Sequence, residues 1–260
     1  MGIRTAGFCL WLLLVASTGF SLDKGATKEI PITTSEFPPF TWGQDRGSYN
    51  KIVNLIFRNL GYGVKWIYLP LKRLNNKILQ GEIEVASASH QIFSSDPRFG
   101  VSTKLSVSYP VFTSIGSKTD PDDLESLKKR SLVSVIGMEP FVRHLTDNGV
   151  RIHFVTTSDS MMRMVENRRM DAAVFDKFVS KAIVHRLFPK KTSRFSFSGR
   201  ITDQSSGGIL VFRKRNNPYL HLIGPINTEL KKIIRSGAYG KVLEQFVGQG
   251  NVEEDMIPGS

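Results

Sequence analysis

The amino-acid sequence predicts an α/β protein built from two lobes. Strand-like and helix-like segments alternate from Lys28 to Ser89, and the same alternation begins again at Leu132. An extended run, Tyr109 to Ser117, separates the two series. Such alternation favours parallel strands with helices on both faces. One continuous open sheet is the alternative, and the restart after Ser117 favours two lobes.

The first series contains three strands and two helices. Apolar and polar residues alternate from Lys28 to Thr34, which predicts a strand followed by a proline-stiffened loop, Phe37-Pro38-Pro39-Phe40. The next segment has apolar residues at helical spacing, with Ser48 as its cap and Gly61 at its end. The remaining predicted elements are a strand at Val64–Leu69, a helix at Leu71–Gln80 and a strand at Val85–Ser89.

The second series repeats this plan, and the chain then returns to the first lobe. We expect lobe one to comprise residues 22–113 and 208–260, lobe two residues 114–207, and two hinge crossovers near Tyr109–Ser117 and Ser205–Val211. The predicted strands are Leu132–Ile136, Arg151–Val155, Ala172–Phe175 and Gly208–Arg213. The predicted helices are Pro140–Asn148, Ser158–Arg168, Phe178–Leu187, Asn227–Ser236 and Tyr239–Val247.

The N-terminal residues have the layout of a secretory signal peptide. A basic start is followed by an apolar run, Phe8 to Ala16, and by small or polar residues through Ser21. The run is too short for a stable bilayer span. We therefore expect residues 1–21 to be a signal peptide and the mature protein to be periplasmic, with cleavage after Ser21 or Thr18. An uncleaved amphipathic anchor or a buried first helix is the alternative.

Composition and motifs exclude several function classes. The net charge is +12, but the basic residues are dispersed, which favours a solvated surface over an acidic ligand or a lipid contact. Neither zinc-finger spacing nor a basic stripe with aromatic residues is present, so we expect no nucleic-acid partner. The single cysteine, Cys9, lies in the leader. The sequence has no nucleophile elbow, zinc-protease motif or phosphate loop, so we expect no enzyme, cofactor or metal.

A series of short motifs resembles one known family. The sequence is similar to the periplasmic solute-binding proteins of the polar amino acid type, which have the type II Venus flytrap fold of ABC importers. No single motif is specific, but their order and spacing match over about Lys28 to Val247. The motifs are Phe37-Pro38-Pro39-Phe40, Pro70-Leu71-Lys72-Arg73, Gly81-Glu82-Ile83-Glu84, Arg98-Phe99-Gly100-Val101-Ser102, Asn167-Arg168-Arg169-Met170-Asp171-Ala172 and Gly237-Ala238-Tyr239-Gly240-Lys241.

The resemblance implies a monomer that closes around a small polar ligand and an ABC permease as its partner. A periplasmic enzyme of the same fold, such as a dehydratase, and a binding or sensor protein without a permease are the alternatives. Ligand identity stays open.

The resemblance also implies which residues line the cleft of lobe one. Phe37 matches the loop aromatic that covers the ligand, and Trp42 could form a second stacking wall. Ser87, Ser89 and His90 match the strand end and loop that hydrogen-bond the ligand. Phe37 and Trp42 are also ordinary candidates for loop packing, and a lone histidine is more often structural.

The lobe-two residues implied by the resemblance are Gly137, Met138, Glu139 and Asp176. The first three match a helix start whose backbone N–H groups hold an anion, as helix N-termini do. Asp176 matches the acidic residue that pairs with a ligand ammonium group. Glu139 could instead cap its own helix or repel an anionic ligand, and Asp176 could cap the helix that follows it.

The sequence departs from the family at the carboxylate clamp. Amino acid binders usually carry an arginine that forks onto the α-carboxylate, and Ser95 stands at that position here. Either Arg98, Lys72 or Arg73 replaces the missing arginine, or the ligand is not a standard α-amino acid.

Overall fold

The computed structural model describes residues 28–43, 45–107, 109–116, 123–201 and 207–259. The predicted signal peptide lies outside these residues, as do Ser117, Ser205 and Ser206 of the predicted hinges. Within the described ranges, no helix has the length and apolar character needed to cross a membrane.

The first lobe is formed by the two ends of the described chain. Its N-terminal elements are β1 (Glu29–Thr34), α1 (Ser48–Asn59), β2 (Gly63–Tyr68), α2 (Leu71–Leu79), β3 (Val85–Ser89), α3 (His90–Phe93) and β4 (Phe99–Val101). The central part of the chain forms the second lobe with β5 (Pro110–Ile115), α4 (Leu124–Lys128), β6 (Leu132–Val135), α5 (Glu139–Asp147), β7 (Ile152–Val155), α6 (Ser158–Glu166), β8 (Ala172–Asp176), α7 (Lys177–Leu187) and β9 (Phe195–Arg200). The chain then completes the first lobe with β10 (Gly208–Arg213), α8 (Ile223–Arg235) and α9 (Ala238–Val247).

The two sheets have the same plan. The first has the strand order β2-β1-β3-β10-β4 and the second β7-β6-β8-β5-β9. In each sheet, the first three strands of this order are parallel. The fourth strand, β10 or β5, is antiparallel to the third, and the chain enters it directly from the other lobe. Parallel neighbours require a crossover helix, which explains why strands and helices alternate in the sequence. The two-lobed α/β prediction is therefore confirmed.

The chain passes between the sheets twice. The first crossing follows β4 and ends where β5 begins at Pro110, and the second lies between β9 and β10. The lobe boundary predicted between residues 113 and 114 falls inside β5, which pairs with β8 and β9 along its length. Most of the predicted hinge Tyr109–Ser117 is thus sheet, and the first crossing precedes it.

A glycine pair allows the two crossings to approach each other. A Cβ atom on Gly207 would lie 2.2 Å from the Ser106 carbonyl oxygen, and one on Gly208 would lie 2.6 Å from the Tyr49 ring. The Gly208 N–H donates to the Ser106 hydroxyl at 2.9 Å. A side chain at Gly207 would push the crossings apart, and one at Gly208 would clash with the Tyr49 ring of α1.

Four of the helices and strands named above were not predicted from the sequence. They are α3, β4, α4 and β9. The first three have three to five residues, which is too few for a period to show. The predicted cap of α1 is also wrong, because the cap position is Gly47 and the Ser48 hydroxyl donates to the Pro39 carbonyl.

Five phenylalanine rings form a continuous contact between the lobes, which we call the aromatic junction. In lobe one, Phe37 stacks on Phe40 with 6.0 Å between ring centroids. These rings meet Phe175 and Phe178 of lobe two at 6.5 and 4.9 Å. Phe178 in turn lies 6.3 Å from Phe246 of α9, which belongs to lobe one. Aromatic pairs at these distances are favourable beyond the area that they bury.

The segment after α9 also binds lobe two. Glu253 accepts hydrogen bonds from Lys177 and Lys181 of α7, and Asp255 accepts one from Lys177 at 2.9 Å. Met256 is buried in the main core. Burial disfavours ionisation of Glu253, but the hydrogen bonds from the two lysines outweigh it and hold the pKa of this carboxyl below its ordinary value. The C-terminal segment is therefore a second tie between the lobes.

We expect the Glu253→Gln change to lower stability at neutral pH by up to about 1 kcal/mol, because Glu253 is half exposed and solvent screens the pair. A carboxyl whose pKa is depressed by folding stabilises the protein above its unfolded pKa and loses that effect as pH falls through the folded pKa. The difference between parent and variant should therefore shrink below pH 4.5, the ordinary value. Urea unfolding at pH 7 and pH 3.5 measures it.

Glu82→Gln is the matched control, since Glu82 pairs with Lys77 within lobe one. A Glu253→Gln effect that is the same at both pH values would contradict the assignment of the ion pairs.

Candidate ligand cleft

The C-terminal ends of the parallel strands place the candidate residues at facing edges of the two sheets. Ligands of open α/β sheets bind beyond these ends. In lobe one the loop 35–43 follows β1, and in lobe two Asp176 ends β8. The contact between Phe37 and Phe175 shows that this loop faces the end of β8. The cleft between the lobes therefore opens beside the aromatic junction.

Phe37 combines packing with exposure. Its N–H donates to the Thr41 carbonyl at 2.8 Å, and the Thr41 hydroxyl donates to the Ser35 carbonyl at 2.6 Å, which closes the loop into a tight turn. One side of the ring contacts its aromatic neighbours, yet 43% of the residue is exposed. The ring thus has free surface at the cleft.

Trp42 is held by two polar residues that the sequence did not single out. The fully buried Asn50 accepts from the Trp42 N–H at 2.9 Å and donates to the Tyr68 hydroxyl at 3.2 Å. That hydroxyl donates to the Trp42 carbonyl at 2.8 Å. Burial, followed by the nearby charge of Asp45, raises the pKa of the Tyr68 phenol, so it remains a donor. A buried asparagine among apolar positions of α1 was the available signal for this network.

The indole of Trp42 carries a cation on one face. The Arg46 guanidinium lies 4.5 Å from the ring centroid. This is a cation–π contact, which favours an exposed arginine above an indole. Trp42 is half-buried, and the contact occupies part of its surface.

The three polar residues at the end of β3 differ in their surroundings. Ser87 is buried beside the Tyr49 phenol, inside lobe one. Ser89 and His90 are half-buried at the strand end. The His90 N–H donates to the Gly207 carbonyl at 2.9 Å. Burial, and then the charge of Lys104, lowers the pKa of the His90 imidazole, so it is neutral at physiological pH. Ser89 and His90 are thus the cleft-edge members of the three.

The helix start in lobe two already holds a carboxylate. Gly137 has a positive φ of 97°, which turns the chain from β6 into α5. The Gly137 N–H donates to the Glu139 Oε2 atom at 2.7 Å. Gly137 and Glu139 are exposed, and Met138 packs against the main core. The backbone donor that the resemblance assigned to a ligand anion is therefore bonded to a side chain of the protein.

Asp176 caps α7. Its Oδ1 atom accepts from the Val179 N–H at 2.7 Å, and the residue is 2% exposed. It ends β8 next to Phe175, so it lies at the base of the cleft beside the aromatic junction. The expected cap is confirmed by this bond, and the pairing of Asp176 with a ligand ammonium group stays a prediction.

The proposed replacements for the missing clamp differ in position. Arg98 forms a bidentate pair with Asp96 and donates to the Leu79 carbonyl at 3.0 Å, so its guanidinium is committed to the end of α2. Arg73 is exposed in the first turn of α2, as is Lys72. Ser95 is exposed. Of the three candidates, Arg98 is thus already paired, whereas Lys72 and Arg73 are exposed at the start of α2.

Nothing in the described part of the chain suggests a metal centre. No group of three or more histidine, cysteine, aspartate or glutamate residues lies close enough there to hold an ion.

Comparisons with known proteins agree with this architecture. No protein-family model matches the chain, and no curated protein matches it. Solved structures do. The ligand-binding core of GluR0 from Nostoc punctiforme, in complex with L-glutamate, is 18% identical, covers 84% of this chain and 99% of its own, and has a TM-score of 0.62. The L-cystine solute receptor of Neisseria gonorrhoeae, unliganded and open, is 16% identical, covers 86% and 95%, and has a TM-score of 0.65.

An ancestral arginine-binding protein bound to arginine is 20% identical, covers 85% of this chain and 98% of its own, and has a TM-score of 0.60. The chain has the two-lobed fold of the type II periplasmic binding proteins. At these identities the likeness shows the fold, and the ligands of these proteins are their own. Within this fold, the cleft described above is the space between the lobes.

We expect the Tyr68→Phe change to loosen the loop 35–43, because it removes the bond to the Trp42 carbonyl and the acceptor for Asn50. A net hydrogen bond contributes about 1 kcal/mol, so amide exchange at Trp42 should rise about fivefold. NMR-detected hydrogen exchange measures it. Tyr62→Phe removes the same atom from a neighbouring tyrosine and should leave this amide unchanged. Equal exchange in parent and Tyr68→Phe would contradict the network.

Proposed function

We propose that the protein is a periplasmic solute-binding protein of the polar amino acid type, which captures a small ligand between its lobes for ABC-type import and catalyses nothing. The observation that carries this proposal is the presence of two sheets of the same plan, which two chain crossings connect. The parallel strands of both sheets end at a common cleft. This arrangement lets a ligand contact both lobes at once. The fold shared with amino-acid-binding proteins supports the same reading.

Ligand capture follows from hinge motion in this proposal. The crossings after β4 and after β9 are the segments about which the lobes rotate. A ligand that contacts Phe37 and Ser89 in lobe one and Asp176 in lobe two stabilises the closed form, and its differential affinity for that form sets the population shift. A permease in the inner membrane then recognises closure, and the protein acts as a monomer.

Export is part of the proposal and rests on the leader. The basic start, the apolar run and the small residues before Leu22 support cleavage near that residue. We expect N-terminal sequencing of protein from a periplasmic extract to begin near Leu22. An intact Met1 in that extract would contradict this.

The function is tested by a thermal-shift screen of polar metabolites with the purified protein. A ligand bound only by the folded form stabilises it by about 2.7 kcal/mol at a hundred times its Kd, so at least one solute should raise the melting temperature. A screen in which no solute does so would contradict the proposal.

For a solute that carries an amine, we expect the Asp176→Asn change to weaken binding by about 2–5 kcal/mol, because a desolvated cation would lose its partner. The amide oxygen can still accept from the Val179 N–H, so the cap of α7 survives. Asp171→Asn is the matched control, since Asp171 also accepts a backbone N–H in lobe two, at 2.7 Å from Ser131. If calorimetry gives the same affinity for Asp176→Asn as for the parent, Asp176 acts only as the cap of α7.

A further inference from the structure

The edges of the cleft carry exposed apolar side chains. Four of the six large apolar side chains that are most exposed in the described residues are Phe37, Leu71, Ile92 and Ile136, with exposed fractions between 43% and 60%. Each lies within three residues of the C-terminal end of β1, β2, β3 or β6. We call these four residues the apolar edge. Exposed apolar groups gathered where ligands bind indicate a contact surface rather than chance exposure.

The apolar edge comes from both lobes. Phe37, Leu71 and Ile92 belong to lobe one, and the Leu69 N–H bond to the Thr34 carbonyl keeps the start of α2 beside the end of β1. Ile136 belongs to lobe two and directly precedes Gly137. A ligand body between the lobes would therefore meet apolar groups on both sides, and burying them stabilises the closed form.

The lobe-two helix start disfavours a ligand carboxylate. The Glu139 carboxylate accepts from the Gly137 N–H and stands in the first turn of α5, where the helix dipole favours a negative charge. A carboxylate from a ligand would have to displace it or lie beside it, and two like charges at close range repel. In lobe one the Arg98 guanidinium is bound to Asp96.

From these observations we infer that Glu139 is a built-in anion in the place of a ligand carboxylate, and that the cleft takes a molecule with an apolar body and no carboxylate, such as an aromatic or aliphatic amine. The inference rests on the proposed function, because it names the ligand class of the same cleft. It makes Glu139 a specificity-determining residue.

Matched pairs of probes that differ by a carboxylate test this inference by calorimetry. Phenethylamine is compared with phenylalanine, and 3-methylbutylamine with leucine. We expect each amine to bind at least about tenfold more tightly than its amino acid. An amino acid that binds as tightly as its amine overturns the inference. Absence of binding by both amines at millimolar concentration also overturns it, because the apolar edge would then serve only contact between the lobes.

Variants of Glu139 separate its charge from its hydrogen bond. Glu139→Ala frees the Gly137 N–H and should improve phenylalanine binding about tenfold or more, while phenethylamine changes little. Glu139→Gln keeps an acceptor for that N–H without the charge, so its gain for phenylalanine should be smaller. Glu125→Ala removes another exposed glutamate of lobe two, on α4, and should behave as the parent. Unchanged phenylalanine affinity in Glu139→Ala overturns the role of Glu139.

The inference about the ligand class and the proposed function of solute capture are contradicted by different outcomes. If phenylalanine or another carboxylate raises the melting temperature of the parent as much as the amines do, the ligand class is wrong and solute capture stands. If no solute in the wider screen has an effect, solute capture itself fails.

Discussion

The aromatic junction is the contact on which the arrangement of the two lobes depends. Phe37 and Phe40 of lobe one meet Phe175 and Phe178 of lobe two, and Phe246 returns the contact to lobe one. The junction lies where β1 and β8 end, so the rings that hold the lobes together also form the base of the cleft. A ligand there would extend a packed surface that already exists.

Two further features hold the lobes in position at this junction. The crossings approach closely only because Gly207 and Gly208 have no side chains. Beyond α9, the C-terminal segment binds Lys177 in the first turn of α7, one residue after Asp176. The ion pairs of Lys177 and the ring contact of Phe178 thus both constrain the start of α7, next to Asp176. Rotation of the lobes must preserve or repack these contacts.

The sequence predicted the alternating elements well because their periods are long enough to recognise. β3 and β10 have the predicted bounds, and most others differ by one or two residues. The start of α8 differs more, because Pro225 and Gly224 obscure its first turn. Short elements such as α3 and α4 carry no readable period. The predicted lobe boundary falls inside β5, because the apolar pattern of a strand does not show to which sheet the strand belongs.

The site was less predictable, since it depends on partners distant in sequence. The position of Phe37 followed from the loop motif, but the tie of Trp42 to Asn50 and Tyr68 spans separate elements. The bond from Gly137 to Glu139 is local, but it does not cap α5, because the cap position is Met138 and Gly137 precedes it. The pairing of Arg98 with Asp96 needed geometry, because its residue type alone suits a ligand clamp equally well.

Rotation of the lobes about the two crossings when a ligand binds is the central claim, and the distance between the lobes tests it most directly. Residues 22–260 contain no cysteine, so Asn76→Cys on α2 and Arg143→Cys on α5, both exposed, accept spin labels selectively in this part of the chain. Pulsed electron paramagnetic resonance then gives the distance distribution with and without a solute that raises the melting temperature. The account predicts a shorter and narrower distribution with the solute. The same distribution in both samples would contradict it.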